Sequence, residues 1–204
     1  MVVELINTGS ELMLGRVLNT HQQWLCRRLA DLGYVVSRQV SVADTPDDIQ
    51  QAVREALGRA DLVITTGGLG PTSDDLTRDL IAQMLGRRLR QDTVVSSHIQ
   101  QFFTVRKRPM PERTRVQAEV PEGALVLNNP HGTAPGLAMQ VNPNRFRPGG
   151  TESLQRCTAS KQGKVCARAF RGRATKIIVQ RCRNARSASQ GITEYVEWKK
   201  CLTI

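Results

Sequence analysis

The chain has 204 residues and carries 29 Lys and Arg against 18 Asp and Glu, a formal net charge of +11. No stretch approaches the ~20 apolar residues of a membrane helix. The N-terminal MVVELINTGSEL lacks the basic and long apolar regions of a secretory signal, so a cytosolic protein with no membrane partner is expected. The charge is uneven. Residues 1–150 hold 17 basic and 15 acidic side chains, whereas residues 151–204 hold 12 and 3. All nine prolines lie in the first part and four of the five cysteines in the second. The chain therefore reads as a near-neutral domain, 1–150, and a basic, Cys-containing tail, 151–204. Cys157, Cys166, Cys182 and Cys201 fit no zinc module, so free thiols are expected.

In chain order, Val2–Ile6 is a short apolar run that ends in the turn cluster Asn7-Thr8-Gly9-Ser10, which predicts a buried strand and a loop. Thr20-x-x-Gln23 has the pattern of a capping box, with Leu25, Leu29 and Leu32 on one helical face behind it and Gly33 at the end. Tyr34–Val40 is strand-like. Thr45-Pro46 starts a second helix, with Ile49, Val53, Ala56 and Leu57 as its apolar face. Leu62–Thr66 is a strand that runs into Gly67-Gly68-Leu69-Gly70-Pro71. Thr72 and Asp75 are expected to cap a third helix bearing Leu76, Leu80, Ile81 and Met84. Asp92 starts a fourth helix with Val95, Ile99, Phe102 and Phe103. Ala124–Leu127 and Gly136–Val141 complete the strand-like runs. His21 and His98 read as surface or interface residues on helices.

Strands alternating with helices predict a mainly parallel sheet covered on both faces. Ligands of such sheets bind beyond the carboxyl ends of the strands. Three loops are placed there, Asn7–Leu14, Thr65–Asp75 and the segment around Asn128–Pro135. In TTGGLGPTSDD, Gly67, Gly68 and Gly70 let a ligand approach the backbone. Their amides, with those that open the next helix, form a positive nest for phosphate. Thr72 and Ser73 add hydroxyls. Bare carboxylates at Asp74 and Asp75 suit such a nest if a divalent cation bridges them to the phosphate. Asp79, one turn further on, can join from the same face.

The segment TGGLGPTSDDLTRD resembles the signature of the MoaB/Mog-like molybdopterin-binding domain, in the version carried by CinA-type (competence/damage-inducible) proteins. Three other stretches share the resemblance. Gly9-Ser10-Glu11-Leu12 with Gly15, then Asn19-Thr20-His21, is similar to the family's first loop and its Asn-Thr-Asn, with His in place of the last Asn. The helix QWLCRRLADLGY and Asn129-Pro130-His131-Gly132-Thr133-Ala134-Pro135-Gly136 are similar to family motifs as well. The likeness covers about residues 1–148.

The resemblance implies a three-layer α/β/α sandwich. It implies a small-molecule nucleotide or pterin as ligand, molybdopterin among them, and a homo-oligomer. For the CinA version it implies metal-dependent cleavage of a pyrophosphate in ADP-ribose-like nucleotides; the alternative is a molybdopterin-binding module without hydrolysis. Asp74 and Asp75 are then the catalytic acids, with Asp75 and Asp79 on a divalent metal ion. Gly9, Ser10, Glu11, Gly67, Gly68, Gly70, Thr72, Ser73, Asn129, Gly132 and Thr133 are the expected ligand-binding set. The family's separate amidase domain for nicotinamide mononucleotide is not expected in this chain.

Beyond residue 150 the resemblance stops. The family continues into an apolar strand and a Pro-Gly-x-Pro loop that walls the site, and no such loop occurs here. The tail lacks amphipathic period apart from Lys176–Gln180. Three readings stand: a basic arm for nucleic acid or an anionic surface, a lineage-specific extension, and translation in a shifted reading frame. Sudden motif loss, scarce acids and the joint rise of Arg and Cys favour the third, which makes the total charge no pointer to nucleic acid. An irregular or disordered tail is expected, and with it a domain short of one sheet strand and of the helix that covers it, a truncated product with weak or absent catalysis. The coding DNA beyond codon 150, translated in the other two frames, tests the shift.

Overall fold

The computed structural model describes residues 1–142, residue 146 and residues 175–180. A six-stranded sheet forms the middle layer. Its strands are β1 (Val3–Thr8), β2 (Val36–Val42), β3 (Leu62–Thr66), β6 (Leu125–Leu127), β7 (Gly136–Val141) and β8 (Thr175–Gln180), in the order β2-β1-β3-β8-β7-β6. The first four in that order run parallel, and β7 and β6 are each antiparallel to the preceding strand. A separate two-stranded ribbon pairs β4 (Leu89–Gln91) with β5 (Glu119–Pro121).

Side chains of alternating strand positions go to opposite faces. Val3 and Leu5 of β1, with Leu62 and Ile64 of β3, pack against Leu25 and Leu29 of α2 (Thr20–Asp31). Ile6 and Val63 face the other way. They pack against α3 (Pro46–Arg59), α4 (Thr77–Met84) and α5 (Thr93–Val105) through Ile49, Val53, Leu57, Ile81, Val95 and Ile99. Two apolar layers with a sheet between them make the expected three-layer sandwich.

The helix starts follow side-chain chemistry. Thr45 accepts from the Asp48 amide with Pro46 in the first turn, and Asp92 accepts from the Val95 amide at 2.9 Å, as expected. At α2 the cap is one residue earlier than the capping-box pattern indicates. Asn19 accepts from the Gln22 amide at 3.0 Å, and Thr20 is already helical. The asparagine, just outside the helix, serves the Gln22 amide of the first turn, and the pattern alone cannot choose between neighbours. The one-turn α1 (Ser10–Met13), the ribbon β4–β5 and a 3-10 segment, Glu112–Ala118, carry no periodic signal that predicts them.

One expectation about the tail is corrected. The sheet does not lack its further strand. Thr175–Gln180 lies between β3 and β7, parallel to the first (Leu62 opposite Lys176) and antiparallel to the second (Val141 opposite Thr175). Its sequence, with Ile177, Ile178 and Val179 in a row, has the β-branched composition favoured in strands. The rest of the tail lies outside the described residues. Among those residues no helix is long and apolar enough to cross a membrane.

Candidate functional site at the carboxyl edge of the sheet

β1 and β3 are parallel neighbours, so the loops that leave them emerge side by side. Thr8 joins them. Its hydroxyl donates to Thr66 O at 3.2 Å and lies 3.4 Å from the Thr77 hydroxyl at the start of α4. Thr66 in turn donates to Asn7 Oδ1 at 2.9 Å, and Asn7 reaches Gln22 and Val40 O, each at 3.3 Å. Asn7, Thr8, Thr66 and Thr77 are all buried. A fully hydrogen-bonded polar layer thus underlies the loops and fixes them relative to one another.

The glycine loop rests on this layer. Gly67 and Gly68 have φ of 101° and 62°, a region that side chains with a Cβ rarely adopt. A Cβ on Gly67 would overlap Thr8 O and Oγ1, and one on Gly68 would overlap Thr77 Oγ1. Leu69 is buried in the core and Gly70 backs onto the Asp75 carboxylate. Thr72, Ser73 and Asp74 stand exposed at the rim.

Thr72 and Asp75 do not cap a helix. Asp75 Oδ2 accepts from the Thr72 amide at 3.0 Å and from its hydroxyl, closing a tight turn, and α4 begins only at Thr77. The carboxylate reaches back over three residues, which is as favourable locally as a cap and delays the helix by one turn. Ser73 donates to Asp74 at 3.2 Å. Asp79 is engaged by Arg78, whose Nε lies 2.6 Å away. Among the described residues no group of three His, Cys, Asp or Glu side chains is placed to hold a metal ion.

In the first loop Ser10 is tied to Asp44 by reciprocal bonds of 2.9 and 3.2 Å. The Glu11 carboxylate folds back over Gly9. Beyond it Met13, Leu14, Val17 and Leu18 are exposed, Leu18 by 87%. The third loop follows β6, which runs in the direction of β3, so it leaves the same edge of the sheet. With strands about 4.8 Å apart, its attachment to β7 lies about 10 Å from β3. Asn129 builds this loop. Its Nδ2 donates to Ala134 O at 2.7 Å, and its Oδ1 accepts from the His131 amide at 3.1 Å. Gly132 is buried against the Asn129 side chain, and Thr133 is half-buried beside it.

The structure therefore brings the first two expected loops into contact and sets the third on the same edge, two strands away. Three supporting side chains carry no sequence signal. His98, expected at a surface or interface, is half-buried on α5 with Nε2 3.1 Å from Gly132 O. Gln117 donates to Leu69 O at 3.1 Å, and Arg78 donates to Val116 O. All three act on backbone carbonyls, which no motif records. His21 lies in the first turn of α2, where burial pulls its imidazole pKa below the ordinary value, and its Nε2 is buried with no partner among the described residues.

Residues 4–160 match the family model described as a probable molybdopterin binding domain. The chain belongs to this family. A competence-damage inducible protein of Symbiobacterium thermophilum is 45% identical over 145 residues, 71% of this chain and 34% of that protein. A CinA-like protein of Akkermansia muciniphila is 47% identical over 140 residues, 69% of this chain and 34% of the other. The chain thus spans about a third of the length of the curated relatives it matches. Among solved structures, the protein CinA of Thermoplasma acidophilum superposes with a TM-score of 0.67 at 26% identity, over 100% of this chain and 95% of that one. The tungsten cofactor synthesizing protein MoaB of Pyrococcus furiosus shares the fold, with a TM-score of 0.51 at 14% identity over 98% and 91% of the two chains. These likenesses make it a CinA-type, MoaB/Mog-like domain.

Proposed function

We propose that this CinA-type domain binds the phosphate or pyrophosphate of a small nucleotide or pterin at its glycine loop and slowly hydrolyses the pyrophosphate of ADP-ribose-like nucleotides. The observation that carries the reading is the close seating of Gly67 and Gly68 on Thr8 and Thr77. It fixes a bare stretch of backbone at the carboxyl edge of a parallel sheet, where anions are bound through amides. The distance of about 10 Å to the Asn129–Pro135 loop suits a ligand longer than a single phosphate. Gly132 and Thr133 would hold its far end, and Gly9, Ser10 and Glu11 its near side.

The acids fit a metal that arrives with phosphates better than one held in a protein cage. Mg²⁺ commonly takes one or two carboxylates and completes its shell with substrate oxygens and water. Asp74 and Asp75 are the proposed pair. Asp79, the further proposed ligand, joins only by releasing Arg78. A cation bound there would neutralise charge on the cleaved phosphates. Thr72 and Ser73 orient the ligand, and Asp75 orients the attacking water.

Incubation of the chain with ADP-ribose and Mg²⁺ or Mn²⁺, against a chelator control, tests this. Slow, metal-dependent release of AMP and ribose 5-phosphate is expected, lost by roughly a hundredfold in Asp75→Asn while binding is retained. The rate should be low because the sequence has no Pro-Gly-x-Pro wall. No release with either metal overturns the hydrolase reading. The description of the matching family model, a probable molybdopterin binding domain, supports a second reading, molybdopterin binding without hydrolysis. Tight pterin binding with no turnover of ADP-ribose would select it.

A further inference from the structure

The 3-10 segment Glu112–Ala118 is joined to the start of α4 and to the glycine loop. Arg78, 5% exposed in the first turn of α4, donates to Val116 O. Its charge is balanced by Asp79 at 2.6 Å and Glu119 at 3.9 Å. Gln117, 2% exposed, returns the link by donating Nε2 to Leu69 O at 3.1 Å. The other amide atom of Gln117, Oε1, is buried with no partner among the described residues. A buried amide oxygen without a partner is costly. A methionine would fill similar space without that penalty, so packing does not account for a glutamine here. What the amide supplies is the bond to Leu69 O.

That bond has a consequence across the peptide plane. In a trans peptide the C=O of one residue and the N–H of the next point in opposite directions. Leu69 O held toward the 3-10 segment turns the Gly70 N–H away from it. The preceding plane is held in the same manner, since Gly68 O accepts from the Thr77 amide at 3.2 Å and turns the Leu69 N–H away from α4. Two successive amides of the loop are thus aimed by bonds to the carbonyls on their far sides, one from the helix start and one from Gln117.

We propose that Gln117 is a positioning residue of the anion site, which aims the Gly70 amide through the Leu69 carbonyl. The proposal rests on the reading of the glycine loop as a phosphate site. Its test uses the full chain, ¹⁵N-labelled, as wild type and as Gln117→Met. In the free variant the Gly70 amide resonance should move and its hydrogen exchange should speed up roughly tenfold, while Val63 and Ile64 in β3 exchange as before. ADP-ribose affinity, by calorimetry, should fall roughly tenfold. An unmoved and equally protected Gly70 amide in the folded variant overturns the role. If wild type binds no ADP-ribose, the phosphate reading fails, and the Gly70 amide in the free proteins still decides what Gln117 does. If Gln117→Met does not fold, the side-chain NH₂ of Gln117 in wild type decides. Slow exchange supports the bond to Leu69 O, and exchange at the free-amide rate overturns it.

Discussion

At Gly68 the chain has room for a hydrogen and nothing more, because the Thr77 hydroxyl occupies the place of a Cβ and φ is 62°. Gly68→Ala should lower stability by about 2 kcal/mol and reduce ADP-ribose affinity by at least roughly tenfold. A melting curve and a calorimetric titration read the two effects. His21 makes a different prediction. Its folded pKa lies below the ordinary value because burial disfavours the cation. Above about pH 7 both folded and unfolded states carry the neutral ring and the residue contributes no pH dependence. As pH falls through about 6.5, the unfolded chain takes up the proton first, so stability declines until the folded state also titrates. His21→Asn, the residue expected there from the family's Asn-Thr-Asn, removes this term. Between about pH 7.5 and pH 5.5 the variant should lose less Tm than wild type, and parallel curves would refute the assignment.

Among the elements, α5 ends in a conformation its sequence does not favour. Lys107 has φ of 51°, with its amide bonded to Thr104 O and the next amide, of Arg108, to Phe103 O. This is the closing turn that glycine usually makes. Lys107→Gly should therefore raise stability by about 0.5–1 kcal/mol, read from urea or thermal unfolding. Arg106, stacked 3.5 Å over the Phe102 ring, should be unaffected. The same scale shows what can be read from a sequence. Thr45-Pro46 and Asp92 are legible because each side chain serves an amide three residues on. Thr72 and Asp75 carry the same spacing, yet the carboxylate serves the threonine, so one pattern describes two structures. The Glu112–Ala118 segment escapes notice because a single 3-10 stretch builds no apolar stripe. Its importance lies in Gln117, a side chain bonded to a carbonyl 48 positions earlier.

Across the whole molecule, the parallel half of the sheet and the glycine loop are legible from alternating apolar runs and one dense motif. The meeting of loops one and two follows directly from the parallel pairing of β1 and β3. The wider spacing of the third loop does not, because it depends on β8, which enters the sheet out of chain order.

The strand Thr175–Gln180 also makes the closure of the sheet a nonlocal event. It is the last described element in the chain, yet it lies in the middle of the sheet, with β2-β1-β3 on one side and β7-β6 on the other. Neither side touches the other through backbone bonds until it arrives. Two half-sheets must wait with open edges while more than thirty further residues are added after β7, and such nonlocal closure is slow. The nucleotide end and the far end of the proposed ligand are held by different halves. The two ends of the proposed site are thus held at their spacing by that one strand.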